Sequence, residues 1–328
     1  MADEERYYRK VIRIRAEDSP NVRYALLQER RGEKPTDDVL VKGVITWGEF
    51  KKRRATWDII RQTIGLDAEF YEGAEVLMFP PDWMTNAERV AETRPKRLPP
   101  GLSERYMGVD PAEGGDRSSW VIGDLYGVLK LVSAQTPDTT VVPATTIHLM
   151  EQWGVAPENV VFDRGGGGKE HADRLRQLGF NVRTVAFGES VSLEPKRGTQ
   201  SLSERKEIRE ESYAYKNRRT EMYATTMHLL DPHAPSPLTG RTFGIPSSIS
   251  RWAEGGRKSL RDQLTPIPKR YDQEQRLYVL PKNKRHENDD KSETLTKLIG
   301  HSPDEADALV LMVFAMTHKP TYAVAGVS

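Results

Sequence analysis

Residues 106–124, YMGVDPAEGGDRSSWVIGD, constrain the fold more than any other stretch of the chain. Residues 106–109 are apolar or β-favouring and read as the end of a buried strand. Asp110 stands where that strand runs out. Pro111, Gly114 and Gly115 then break regular structure, and the apolar run resumes at Trp120. A carboxylate at the end of a core strand is costly unless it is paired or binds a cation. Asp110 is therefore either a turn aspartate or a ligand, and this stretch alone leaves both readings open.

The pattern around it is strand-rich. Apolar runs at 106–109, 120–125 and 128–132 follow in quick succession, and the short Tyr126-Gly127 connection folds the last two into an antiparallel hairpin. Residues 139–153 read as a helix with Pro143 at its start. A fourth strand, 159–162, ends at Asp163. After the run RGGGG, residues 169–178 place Ala172, Leu175 and Leu178 on one helical face, Gly179 ends that helix, and 181–187 is a fifth strand. The order β-β-β-α-β-α-β predicts an α/β fold with a central mixed five-stranded sheet flanked by helices. A further helix is expected over 213–230, and 232–258, rich in Pro, Gly and Ser, reads as an insertion or mobile loop. Ahead of this domain, 1–84 holds short apolar segments at 11–14, 39–45 and 74–79, and reads as helical over 57–64. Residues 85–105 read as a linker, 106–318 as the main domain and 319–328 as a tail.

Composition narrows the chemistry. The chain has no cysteine, which removes disulfides, thiol nucleophiles and thiolate metal sites. Any metal must be held by carboxylates, His or water, favouring hard ions such as magnesium or manganese. The histidines have no metal-site spacing. No apolar run approaches the ~20 residues that span a bilayer, and MADEERYYRK lacks a signal-peptide core, so a soluble, unsecreted protein is expected. Net charge is only +1. Basic residues nevertheless outnumber acidic ones in 196–219, which includes Lys196, Arg205, Arg218 and Arg219, and in 257–285, which includes Lys258, Lys282 and Arg285. Two such segments suit a polyanion groove. Glu204, Glu207, Glu210 and Glu211 interrupt the first, so a salt-bridged helix face competes with that reading.

The last helix opens with SPDEADALVLMVFAM. Ser302 and Glu305 form a capping-box pattern, with Pro303 at the first helical position. Asp304 and Asp307 share a face, and acidic residues in a first turn also complement the macrodipole. Asp307 precedes an almost continuous apolar run, which puts it at the wet end of a buried helix. Asp110, Asp163 and Asp307 thus form a set of strongly placed carboxylates, and such a cluster is what metal-assisted phosphodiester cleavage needs. Asp116 could return to the same place across the Gly114-Gly115 turn. The glycine run before Lys169 departs from phosphate-loop spacing: Asp163 falls where the first glycine belongs, and Glu170 where Ser or Thr should stand.

GVDPAEGGDRSS, VVFDRGGGGKEHADRLRQLGFNV, SYAYKNRRTEMY, LRDQLT and SPDEADALVLM occur in an order that resembles the nuclease domain of tailed-bacteriophage terminase large subunits, over about residues 102–318. That resemblance implies an RNase H-like (RuvC-like) fold and a two-metal endonuclease using magnesium or manganese to cut concatemeric viral DNA during packaging. It implies metal-binding and catalytic roles for Asp110, Asp163 and Asp307, with Asp116 and Asp304 as secondary metal-ligand candidates. Its implied partners are double-stranded DNA, the portal protein and the small terminase subunit, in the host cytoplasm at the procapsid portal. Residues 1–84 resemble the end of a terminase ATPase domain but carry no G-x-x-x-x-G-K-[ST], so no ATPase activity is expected, and a fragment or split gene product is. Another RNase H-like nuclease, such as a junction resolvase or transposase, is the alternative enzyme. A non-catalytic DNA- or portal-binding packaging component is the alternative without chemistry.

Overall fold

The computed structural model describes residues 12–57, 59–69, 76–99, 101–112, 116–138, 140–191, 214–283 and 293–318. The chain forms two compact units, Met1–Val76 with Gln273–Gln275, and Leu77–Asp272 with Arg276–Ser328. In the first, helices α1 (Pro20–Arg30), α2 (Trp47–Thr56) and α3 (Ile59–Gly65) surround a small core of Val22, Phe50 and Leu66. The helix expected at 57–64 begins at Ile59, because the backbone leaves the helical region at Trp57, the C-cap of α2. The apolar segment 39–45 is irregular, with Val39, Leu40, Val41 and Val44 exposed. The Asn21 amide holds it by bonding both the N–H and the C=O of Val41.

The second unit opens with helix α4 (Pro81–Glu92). This corrects the linker reading of 85–105. The prolines at 95, 99 and 100 follow a true helix, whose Met84, Ala87 and Glu88 are buried on one face at i, i+3, i+4 spacing. The sheet comprises β1 (Tyr106–Asp110), β2 (Arg117–Asp124), β3 (Gly127–Gln135), β4 (Val160–Asp163) and β5 (Arg183–Val185), in the order β3-β2-β1-β4-β5. The first three strands pair antiparallel, and β1–β4 and β4–β5 pair parallel, as the sequence pattern predicts. Strand β2 starts three residues before the apolar run because its serines pair sideways: Ser118 with Thr136 at 2.6 Å and Ser119 with Ser133 at 3.1 Å.

Helices α5 (Val141–Trp153) and α6 (Gly168–Gln177) cover one face of the sheet over Met107, Val109, Trp120, Ile122 and Phe162. The other face carries Tyr106, Val121 and Val161 and packs against helix α7 (Arg218–Leu230) and the C-terminal helix. Helix α7 starts at Arg218 because the Asn217 side chain caps it, accepting the Thr220 N–H at 3.0 Å. Short elements follow: α8 (Ser247–Ser250), α9 (Leu260–Leu264), a β6–β7 hairpin (Arg270–Tyr271, Leu277–Tyr278) and α10 (Leu295–Ile299). The segment 232–258 is no mobile loop along its whole length. Phe243 and Ile245 are buried in the core, and Gly244 bridges to Gly127 at the hairpin.

Helix α11 (Asp304–Thr317) is buried from Asp304 through Val313. It lies directly on β1 at Gly108, where a β-carbon would sit 2.2 Å from both the Ala308 carbonyl oxygen and the Met312 nitrogen. Only glycine permits that approach. The expected capping box does not form: Pro303 occupies the cap, Ser302 Oγ bonds the Asp304 carboxylate, and Glu305 points to Ser133 and Gln263.

Candidate active site

Strand alternation determines which carboxylates can meet. Tyr106, Gly108 and Asp110 share one face of β1, and Val161 and Asp163 share the same face of β4. The parallel register pairs Val109 with Phe162, so Asp110 and Asp163 follow side by side at the carboxyl ends of adjacent strands. That face is the one α11 covers, and its first turn brings in Asp304 and Asp307. Asp110, Asp304 and Asp307 are all buried, and Asp163 is half-buried.

One ammonium joins three of them. Lys282 Nζ, just past β7, lies 3.6 Å from Asp110 Oδ2, 3.4 Å from Asp304 Oδ1 and 3.7 Å from Asp307 Oδ2. Burial pushes the Asp110 carboxyl well up; Lys282 opposes this, and repulsion from Asp307, Asp163 and Asp304 adds to it. Asp163 is pushed up to about 6 by burial and then by Asp307, against a backbone hydrogen bond from Gly165 and the charges of Lys282 and Arg219. Asp304 is raised by burial, opposed by Lys282, Ser302 and Arg257. Burial alone would lower Lys282, but the three aspartates outweigh it and raise it. With Arg219 on Asp307 and Arg257 on Asp304, four carboxylates meet three cations among the described residues, a condition that favours a further cation.

Each aspartate has a distinct setting. Asp307 accepts Arg219 Nη2 at 2.7 and 2.8 Å on its two oxygens and the Tyr223 hydroxyl at 2.7 Å on Oδ1. Asp304 accepts Arg257 Nη2 at 2.7 Å, the Arg117 N–H at 3.3 Å and the Ser302 hydroxyl. Glu305 accepts Ser133 and Gln263 at 2.6 Å each, so it braces α11 against β3 and α9. Asp116 is exposed, yet close enough for its charge to act on Asp304. Gly168 lets α6 begin immediately behind Asp163: a β-carbon there would lie 1.8 Å from the Asp163 carbonyl oxygen. Among the described residues, no three His, Asp or Glu side chains close around one point as a finished cation cage.

The structure redistributes the basic residues. Lys196, Arg205 and Arg285 lie outside the described residues. Arg218 and Arg219, expected on a polyanion-facing helix surface, are buried: Arg218 pairs with Glu221 at 2.6 Å and Arg219 with Asp307. Lys282 belongs to the carboxylate cluster. Grouping by local charge does not reveal these roles. The i, i+4 spacing of Arg219 and Tyr223 puts them on one face of α7, but it does not identify Asp307 as their partner.

A five-stranded mixed sheet in this order, with carboxylates gathered at the ends of its first and fourth strands and on the covering helix, defines an RNase H-like α/β fold. Solved structures with this fold include the nuclease domain of the large terminase subunit gp2 of bacterial virus Sf6, at TM-score 0.53 and 15% sequence identity over 75% of this chain and 100% of that one. Mutant forms of that domain, solved with calcium or with manganese and beta-thujaplicinol, match with the same coverage and identity, at TM-scores of 0.54 and 0.53. No protein-family model matches the chain, and no curated protein matches it in sequence.

Proposed function

We propose that this chain is a divalent-metal-dependent DNA endonuclease of the terminase large-subunit type, cutting concatemeric viral DNA as genomes are packaged. The observation that carries the proposal is the convergence of Asp110, Asp163, Asp304 and Asp307 at one end of the sheet, where among the described residues Lys282, Arg219 and Arg257 set three cations against four carboxylates. The donor set is made of hard carboxylate oxygens, and the ammonium held among them marks the place as cation-stabilising, so magnesium or manganese fits chemically.

In this reading Asp110, Asp163 and Asp307 hold two metal ions, with Asp116 at the margin. Asp304 is the secondary candidate; Arg257, Ser302, Lys282 and the Arg117 N–H engage its oxygens, as Arg219, Tyr223 and Lys282 engage those of Asp307. Bound metal supplies an activated water and stabilises the leaving oxygen of the phosphodiester. The chain's own residues do the positioning. Asp163, titrating at about 6, is ionised at neutral pH. Lys282 balances Asp110 and Asp307 and is long enough to swing away when another cation takes over that charge. Arg219 and Tyr223 hold Asp307 in one orientation, and the Gly165 N–H does the same for Asp163.

Double-stranded DNA is the proposed substrate, read without base specificity, and the portal protein and small terminase subunit are the proposed partners. The site of action would be the host cytoplasm, at the procapsid portal. Among the described residues no helix is long and apolar enough to cross a membrane. Residues 1–84 are proposed to correspond to the end of a packaging ATPase, and no ATP hydrolysis is expected of this chain alone. A plasmid-nicking assay with magnesium or manganese tests the function: the intact protein should nick, and Asp110→Ala, Asp163→Ala and Asp307→Ala should not. Equal nicking by all three variants would sink the assignment. No nicking by the intact protein with either metal would favour a non-catalytic packaging component, and strand joining or junction-selective cutting would favour a transposase or resolvase.

A further inference from the structure

The environment of Asp307 is asymmetric in a way the reaction alone does not require. A single guanidinium nitrogen, Arg219 Nη2, stands 2.7 Å from Oδ1 and 2.8 Å from Oδ2. It fills the bay between the two oxygens, the position a cation must take to bind a carboxylate through both. The Tyr223 hydroxyl adds a second bond to Oδ1 at 2.7 Å and fixes the rotation of the group. Oδ2 is the oxygen on the side of Lys282, at 3.7 Å, and hence of Asp110.

The clamp is rigid. Asp307 and Tyr223 are wholly buried, and Arg219 is 8% exposed. The guanidinium lies 5.1 Å from the Phe187 ring centroid and 5.6 Å from that of Tyr223, so its plane is held by aromatic faces. Arg219 and Tyr223 are one turn apart on α7 and present a common face to α11.

Building on the metal-dependent reading above, we infer that Arg219 and Tyr223 are specificity-determining positioning residues that restrict Asp307 to binding a cation through one oxygen. Small ions that demand octahedral geometry, magnesium above all, use carboxylates this way. Calcium takes six to eight oxygens and gains from a carboxylate that offers both. The clamp therefore selects against calcium by withholding an oxygen, independently of how much charge the site carries.

The test is a displacement measurement on the full chain. Bound manganese is counted from the electron paramagnetic resonance of the free ion, then displaced by magnesium or calcium chloride, and the ratio of the two displacing concentrations is recorded. Arg219→Gln opens the bay and also removes a charge. The lost charge strengthens both ions, so the ratio isolates the effect of the opened bay. A shift of about tenfold toward calcium is expected. Tyr223→Phe keeps the ring in its packing, loses only the hydroxyl, and serves if Arg219→Gln does not fold; about threefold in the same direction is expected. Tyr106→Phe, which removes a buried hydroxyl bonded to Glu104 elsewhere on β1, should leave the ratio unchanged. An unchanged ratio in folded Arg219→Gln (or, where that variant does not fold, in Tyr223→Phe), or an equal shift in Tyr106→Phe, overturns the inference while leaving the nuclease proposal standing. Failure of the unaltered protein to bind manganese overturns both.

Discussion

Asp110 and Asp124 end adjacent antiparallel strands, so they lie at opposite ends of the same sheet, and both are buried. Asp124 has its own partner. Arg94 grips both its oxygens, Nη1 reaching Oδ1 at 3.0 Å, and the Tyr126 N–H adds a bond at 2.8 Å. Among the described residues Asp110 has no such partner: it shares one lysine with Asp304 and Asp307 and is repelled by three other carboxylates. The difference separates a carboxylate paired one-to-one, a fold element, from one crowded among like charges at a strand end, the arrangement that marks a candidate site.

The contrast is broken or sharpened most strongly by alanine substitution at the two ends. Asp110→Ala should reduce metal-dependent nicking by at least about 10²–10³-fold, whereas Asp124→Ala should leave the rate per folded molecule within about twofold. Loss of nicking in folded Asp124→Ala would erase the distinction. Next in size is stability. Asp124→Ala strands a partly buried Arg94 and should lower the unfolding free energy by about 3 kcal/mol in urea titrations, the lower end for a broken buried pair because Arg94 keeps some solvent.

A smaller effect follows pH. Asp163 has a folded pKa of about 6 against an ordinary 3.8, so the native state binds this proton more tightly than the unfolded chain does. In metal-free protein, stability should therefore fall as pH rises through that window and level off above it, by about 1–2 kcal/mol after allowing for partial exposure. Asp163→Asn should remove this component. Magnesium affinity should climb over the same window, because the ion must displace the proton. Smallest is Glu254→Ala. Glu254 is well exposed although it pairs with Arg117 near the cluster, so its loss should cost no more than about 0.5 kcal/mol in thermal melts.

The sheet was legible because its strands are short apolar runs bounded by Gly, Pro or turns, with Asp110 and Asp163 at the ends of two of them and Asp307 at the start of an apolar helix. Helix α4 was hidden by its neighbours: prolines at 95, 99 and 100 dominate the composition, while its own apolar face is narrow. The segment 232–258 was misjudged for the same reason, since two anchors, Phe243 and Ile245, outweigh a Pro-, Gly- and Ser-rich background once they are buried. Lys282 and Arg219 looked like surface charge because a basic residue's partners lie far away in sequence. Arg219 meets Asp307 across 88 positions, and no local pattern encodes that distance.

At Gly108 the helix that carries Asp307 rests on the strand that carries Asp110, main chain against main chain. The separation between these carboxylates is thus gauged by peptide groups, which every sequence shares, and not by the bulk of interlocking side chains. Core residues elsewhere can drift in size and shape without retuning the site, provided position 108 stays bare. Such a gauge is well suited to a fold held in common with a viral nuclease domain at 15% identity.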